Sequence, residues 1–213
     1  SVGAVGVTGT SAANLLAKAA DVVLVVGSRL QDFTTASKQV FASEVKLLHL
    51  NVSKFDGLKM DSIMLQADAK SGLESLREKL NKAGFQTSTE YRGYVSKLRS
   101  EWNAEVDRLY NLTSKEGNVQ TSIVGTLNEF MAPEDVVLCA AGSLPGDLHR
   151  LWRSEVPKTY HMEYGYSCMG YEVAGGLGAK MAMEKGEVYV IVGDGSYLML
   201  HSEILAAIKE HVK

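Results

Sequence analysis

Glu187-Val188-Tyr189-Val190-Ile191-Val192-Gly193-Asp194-Gly195-Ser196 is the stretch on which the fold turns. The run from Glu187 to Val192 is apolar and largely β-branched, as in a strand buried within a parallel sheet. It breaks at Gly193-Asp194-Gly195, and Ser196–His211 then reads as a helix. Strand, small-residue turn and helix form the repeating unit of a doubly wound α/β layer, whose strands bind ligands at their carboxyl ends. Asp194 there offers a carboxylate suited to a hard cation that bridges phosphates. A glycine on each side lets the backbone approach a bulky anion, and the first amides of the helix face it. Ser196 can cap that helix, or touch the metal or a phosphate oxygen. Gly-Asp-Gly is common, however, and a tight turn with Asp as a simple cap explains these residues alone equally well.

The preceding segments repeat the pattern. Val136-Val137-Leu138-Cys139 reads as a strand after the turn Pro133-Glu134-Asp135, followed by the small-residue loop Ala140–Asp147, a second possible anion cradle. Gly165–Gly170 leads into a helix over Gly170–Met183 that carries Gly175, Gly176 and Gly178. Glycine inside a helix costs roughly 1 kcal/mol relative to Ala, so a close approach of the helix backbone to a strand or ligand is expected there. This unit begins near Asn118, with a helical stripe of Ile123, Val124, Leu127, Phe130 and Met131. Upstream, Val95, Leu98, Trp102, Val106 and Leu109 recur at spacings of 3, 4, 4 and 3, the face of an amphipathic connecting helix.

The first part reads the same way. Ser11–Ala20 is helical with Thr10 or Ser11 as N-cap, and Val22–Val26 is a strand apolar on both faces that ends at Gly27. Val45–Val52 is another strand, and Ser71–Lys82 a helix that stops near Gly84. The expected fold is therefore α/β: two partial doubly wound, mostly parallel-sheet units (Rossmann-like) over 1–85 and 118–213, joined by a helical linker over 86–117. The opening Gly3, Gly6 and Gly9 do not have the dinucleotide-binding spacing, and no strand precedes them.

Composition narrows the function classes. Apolar residues make up 46% and charged residues 22%, and 22 basic against 25 acidic residues leave a net charge of −3. That balance argues against nucleic acid or an anionic membrane as partner. Apolar runs such as Val22–Val26 are too short to span a bilayer, and no signal peptide is visible. Cys139 and Cys168 cannot form a disulfide framework, which points to a reducing cytoplasm. The sequence starts at Ser1 without Met and closes at Lys213 in a helical pattern, so a fragment is expected. His149, His161 and His201, with Glu163 and Glu203, lie near the glycine-rich turns and could move protons, although each alone is more often a packed or solvated residue.

Taken together, these segments resemble the thiamine-diphosphate (ThDP)-dependent superfamily of acetolactate-synthase-like enzymes. Residues 1 to about 85 are similar to the end of its middle domain, and residues from about 118 to the start of its diphosphate-binding domain. Three runs are similar, more narrowly, to a branch that opens the ring of a cyclic polyol-dione: Ala141–Trp152, Tyr160–Glu172 and Gly193–Glu203. The resemblance implies that Asp194 ligates Mg²⁺, and that Gly193, Gly195 and Ser196 contact the diphosphate together with Gly142, Ser143 and Leu144. It implies that Met169 lies beside the aminopyrimidine. His201, His149 and Glu163 are candidates for substrate contact or proton transfer. The family's further metal ligand, an Asn on the next strand, and its activating glutamate, from an N-terminal domain, have no counterpart in this sequence. The fragment is accordingly expected to be inactive alone, and the whole enzyme to be a homo-oligomer. The alternatives are an acetolactate-synthase-type carboligase or decarboxylase and, from another class, a non-catalytic nucleotide-binding α/β module.

Overall fold

A computed structural model describes residues 1–212; Lys213, where the helical pattern closes, lies outside the described residues. The chain divides into two compact units, Ser1–Glu105 and Val106 onward. Each is built on a three-stranded parallel sheet, so the α/β expectation holds.

The first unit opens with helix α1 (Ser11–Ala19), whose N-cap is Thr10: its hydroxyl accepts from the Ala13 amide at 3.0 Å. Strands β1 (Val22–Val26), β2 (Lys46–Asn51) and β3 (Ile63–Gln66) follow, in the order β1-β2-β3. The short helices α2 (Asp32–Thr35) and α3 (Lys54–Gly57) lie between them, α4 (Ala69–Lys82) comes after, and α5 (Thr89–Tyr110) starts in this unit and ends in the second. Strand β2 is paired on both sides and carries the buried residues Leu47, His49, Leu50 and Asn51. Strand β1 departs from the expected two-faced burial: Val25 is buried, but Val22 and Leu24 stand 48% and 37% exposed. The apolar run marked the strand correctly and its position at the sheet edge did not show. On α5, Leu98 and Val106 of the predicted stripe are buried.

In the second unit, β4 (Val136–Cys139) lies between β5 (Tyr160–Met162) and β6 (Val188–Val190). All four β4 residues are buried. Helix α6 (Gln120–Phe130) precedes β4, α7 (Leu144–Leu151) follows it, and α8 (Tyr171–Ala182) precedes β6. Of the glycines in α8, Gly176 explains itself: a Cβ there would stand 2.3 Å from Val190 Cγ2, so the helix packs directly on β6.

Two expectations need correction. Ala140–Asp147 is not a loop throughout, because α7 starts at Leu144 with Pro145 in its first turn, where no intrahelical N–H is required. The single helix expected over Ser196–His211 is two, α9 (Asp194–Leu200) and α10 (Glu203–Lys209). They meet at His201-Ser202, where Ile204 N bonds His201 O and Leu205 N bonds Ser202 O, the tighter i→i+3 pattern that ends an α-helix.

Candidate functional site

In the second unit, β4, β5 and β6 run parallel, so their carboxyl ends lie along one edge of the sheet. Three segments leave that edge: Ala140–Ser143, Glu163–Gly170 and Ile191–Gly193. The sequence-selected residues Gly142, Ser143, Leu144, Met169, Gly193, Asp194, Gly195 and Ser196 all fall on these segments or on the first turn of the helix that follows them.

Helix α9 starts at Asp194 with Gly193 as N-cap, so Ser196 sits inside the first turn and is not the cap. Asp194 is exposed, and its Oδ1 accepts from the Gly195 amide at 2.8 Å. An acidic residue here complements the positive end of the helix. A Cβ built on Gly142 or Gly193 would meet nothing within 4 Å, so the backbone at both turns is open to an approaching group. Gly142 also has φ +91°, a conformation that disfavours any side chain. Across the site, Met169 Cε comes within 3.3 Å of where a Cβ on Gly195 would stand, so Met169 lies against the Asp194 turn.

Ser196 is buried, and its hydroxyl is committed. It donates to Glu172 Oε2 at 2.5 Å and accepts from the Gly170 amide at 2.6 Å. A diphosphate contact from Ser196 is therefore left to its backbone N–H. Glu172, which sequence reasoning assigned no role, is fully buried. The available signal was a carboxylate on an otherwise Gly- and Ala-rich helix, since a charged residue is rarely buried there without partners.

The candidate proton-transfer residues are spread out. Glu163 uses both oxygens on its own loop: Oε1 accepts from Tyr166 N at 3.1 Å and Oε2 from Cys168 N at 2.9 Å. The bond from the Cys168 amide, more than any other influence, holds this carboxyl below its ordinary value. His149, on α7, packs its ring 6.5 Å from that of Tyr164; burial, then the neighbouring Arg150 charge, lowers its pKa. His201 is exposed at the far end of α9, about 10 Å along the axis from Asp194 at 1.5 Å per residue. Its Nδ1 lies 3.1 Å from Leu198 O. His161 pairs with the Tyr171 hydroxyl at 2.7 Å. Burial pushes the Cys139 thiol up to about 12, so it is no nucleophile at neutral pH.

Two other features draw no chemistry. A cavity of about 370 Å³ is lined by Asp135, Trp152, Arg153 and Thr159, among others; Asp135 and Thr159 precede β4 and β5, at the opposite edge of the sheet. The opening glycines close on themselves: Asn14 accepts from the Gly6 amide at 2.8 Å and donates to its carbonyl at 2.9 Å. A Cβ on Gly6 would stand 2.0 Å from Phe33 O, which leaves no anion cradle there.

The exposed Asp194 carboxylate offers one oxygen ligand of the kind a hard cation takes, and the open Gly142 and Gly193 turns leave room for an anion beside it. Among the described residues no group of three or more His, Cys, Asp or Glu could hold a metal by itself. No described helix is long and apolar enough to cross a membrane.

Residues 1–76 match the family described as thiamine pyrophosphate enzyme, central domain. Residues 140–213 match thiamine pyrophosphate enzyme, C-terminal TPP binding domain. The proteins named 3D-(3,5/4)-trihydroxycyclohexane-1,2-dione hydrolase in Clostridium tetani (strain Massachusetts / E88) and Bacillus cereus (strain AH820) are each 44% identical to this chain over 237 residues. These matches cover all of this chain and 36% of each relative, so the chain spans about a third of the length of the curated relatives it matches.

Proposed function

We propose, from the premise that this chain belongs to the thiamine pyrophosphate enzymes, that it is part of a ThDP- and Mg²⁺-dependent hydrolase that cleaves a carbon–carbon bond of a cyclic polyol-dione. The substrate would be 3D-(3,5/4)-trihydroxycyclohexane-1,2-dione, as in the names of its relatives, in the breakdown of inositol; the product would be the open-chain 5-deoxy-glucuronate. The observation that carries this reading is the exposed Asp194 carboxylate set between glycines at the strand ends, within the segment matched to the TPP-binding domain.

Asp194 would hold Mg²⁺, and the backbone of Gly193, Gly195 and Ser196 would hold the diphosphate with Gly142, Ser143 and Leu144. Met169 would support the aminopyrimidine. Bound ThDP supplies an electron sink for breaking a bond next to a carbonyl. The remaining work belongs to the protein. Glu163 fixes the turn that carries Met169 by accepting the Tyr166 and Cys168 amides. Burial lowers the pKa of His149 and so favours its neutral form, the form that can accept a proton. His201 is the candidate for substrate contact at the far end of α9. The whole protein would be a homo-oligomer, as the resemblance to the family implies, and the two free cysteines suit a reducing cytoplasm.

The test is to assay the full-length protein on the cyclic dione and on pyruvate, with and without ThDP and Mg²⁺. Cofactor-dependent ring opening is expected. Turnover of pyruvate alone would favour an acetolactate-synthase-type carboligase instead, and no turnover with ThDP on either substrate would sink both.

A further inference from the structure

The segments that leave β4, β5 and β6 are far apart in sequence, yet one buried side chain joins them. Glu172, in the first turn of α8, is fully buried. Its Oε1 accepts from the Ala141 amide at 3.0 Å, on the segment after β4. Its Oε2 accepts from the Gly170 amide at 3.2 Å, at the end of the segment after β5, and from the Ser196 hydroxyl in α9, after β6. A buried carboxylate is tolerated only where donors satisfy it, and here each of the three segments of the proposed cofactor site supplies one. The arrangement also fixes the Ser196 hydroxyl, which points its proton at Glu172 and receives the Gly170 N–H.

We propose that Glu172 is a positioning residue for cofactor binding, a buried clasp that holds the Ala141–Leu144, Met169–Gly170 and Asp194–Ser196 segments in one fixed arrangement. The inference rests on the proposed diphosphate site and deepens it. Glu172 touches neither metal nor phosphate in this scheme and acts through the backbone it aligns. A carboxylate suits the task because it is acceptor-only, with room for three donors. The isosteric amide turns one acceptor into a donor that must face a Gly170, Ser196 or Ala141 hydrogen.

The experiment uses full-length protein and two readouts besides turnover. One is the ThDP dissociation constant with Mg²⁺ by calorimetry; the other is amide exchange by mass spectrometry without ligand. Glu172→Gln is expected to weaken ThDP roughly tenfold, the size seen when a partner that orients a ligand-binding group is lost. Exchange is expected to quicken together in the segments around Ala141, Gly170 and Ser196. Wild-type ThDP affinity, or faster exchange confined to the Gly170 segment, would reduce Glu172 to a cap of its own helix and overturn the proposal. Should Glu172→Gln fail to fold, Ser196→Ala removes one arm only: a few-fold weaker binding is expected, and wild-type binding overturns the clasp. Asp194→Ala is measured in parallel. If that variant binds ThDP normally, the proposed function fails; if it loses ThDP while Glu172→Gln keeps it, only the clasp fails.

Discussion

Each unit carries a three-stranded parallel sheet, in the order β1-β2-β3 in the first and β5-β4-β6 in the second, and the two middle strands end differently. In the first, the carboxyl end of β2 is closed by polar side chains on nearby backbone: His49 Nε2 and Asn51 Nδ2 each lie 3.0 Å from Ser28 O, and Asn51 Oδ1 accepts from Ser53 N. Every one of these bonds serves the fold. In the second, the corresponding edge holds open glycine turns and an exposed carboxylate in front, with a buried carboxylate behind that ties the turns together. A parallel sheet supplies the location for a site, and the residues that follow each strand decide whether that location is closed, as after β2, or open, as after β4.

Four changes would break or sharpen this contrast. Asp194→Ala removes the exposed carboxylate beside the Gly193 turn and is expected to weaken Mg²⁺-dependent ThDP binding by about 100-fold or more, read by calorimetry. Gly142→Val forces a β-branched residue to φ near +91°, a strain of about 1–3 kcal/mol, and should weaken ThDP roughly tenfold. Asn51→Ala, at the sealed rim, should lower stability by about 1–2 kcal/mol in denaturant titration and leave ThDP affinity alone. An equal loss of ThDP affinity would erase the distinction between the units. The smallest effect concerns pH. Because folding lowers the Glu163 pKa, its contribution is present above its ordinary value of 4.5 and is lost as pH falls below it. Amide exchange at Tyr166 and Cys168, corrected for its intrinsic pH dependence, should become less protected below about pH 4.5.

The strands legible in sequence were those that fall within apolar, β-branched runs, even where, as in β6, the strand itself is only three residues long. Val136–Cys139 and Val22–Val26 announced themselves as apolar β-branched runs, though burial at the edge strand β1 depends on neighbours that no local pattern encodes. Tyr160–Met162 contains no β-branched residue and centres on His161, so no such run marks it. Gly175 and Gly176 in α8 foretold close packing, and Gly176 delivers it against Val190. Among the candidate site residues, the glycine turns and Asp194 stood out through backbone chemistry, which sequence displays. Glu172 did not, because its partners are two amides and a hydroxyl brought from three distant segments, a convergence that exists only once the sheet is formed.

The central claim is that the rim of the second sheet, at Asp194, anchors a divalent cation and with it the cofactor's diphosphate. Crystals of the full-length protein grown with ThDP and Mn²⁺, a hard oxygen-seeking substitute for Mg²⁺, would locate the ion by its anomalous scattering. A peak at the Asp194 carboxylate, beside the Gly142 and Gly193 turns, is the expected result. A peak elsewhere, with ThDP bound away from these turns, would contradict it.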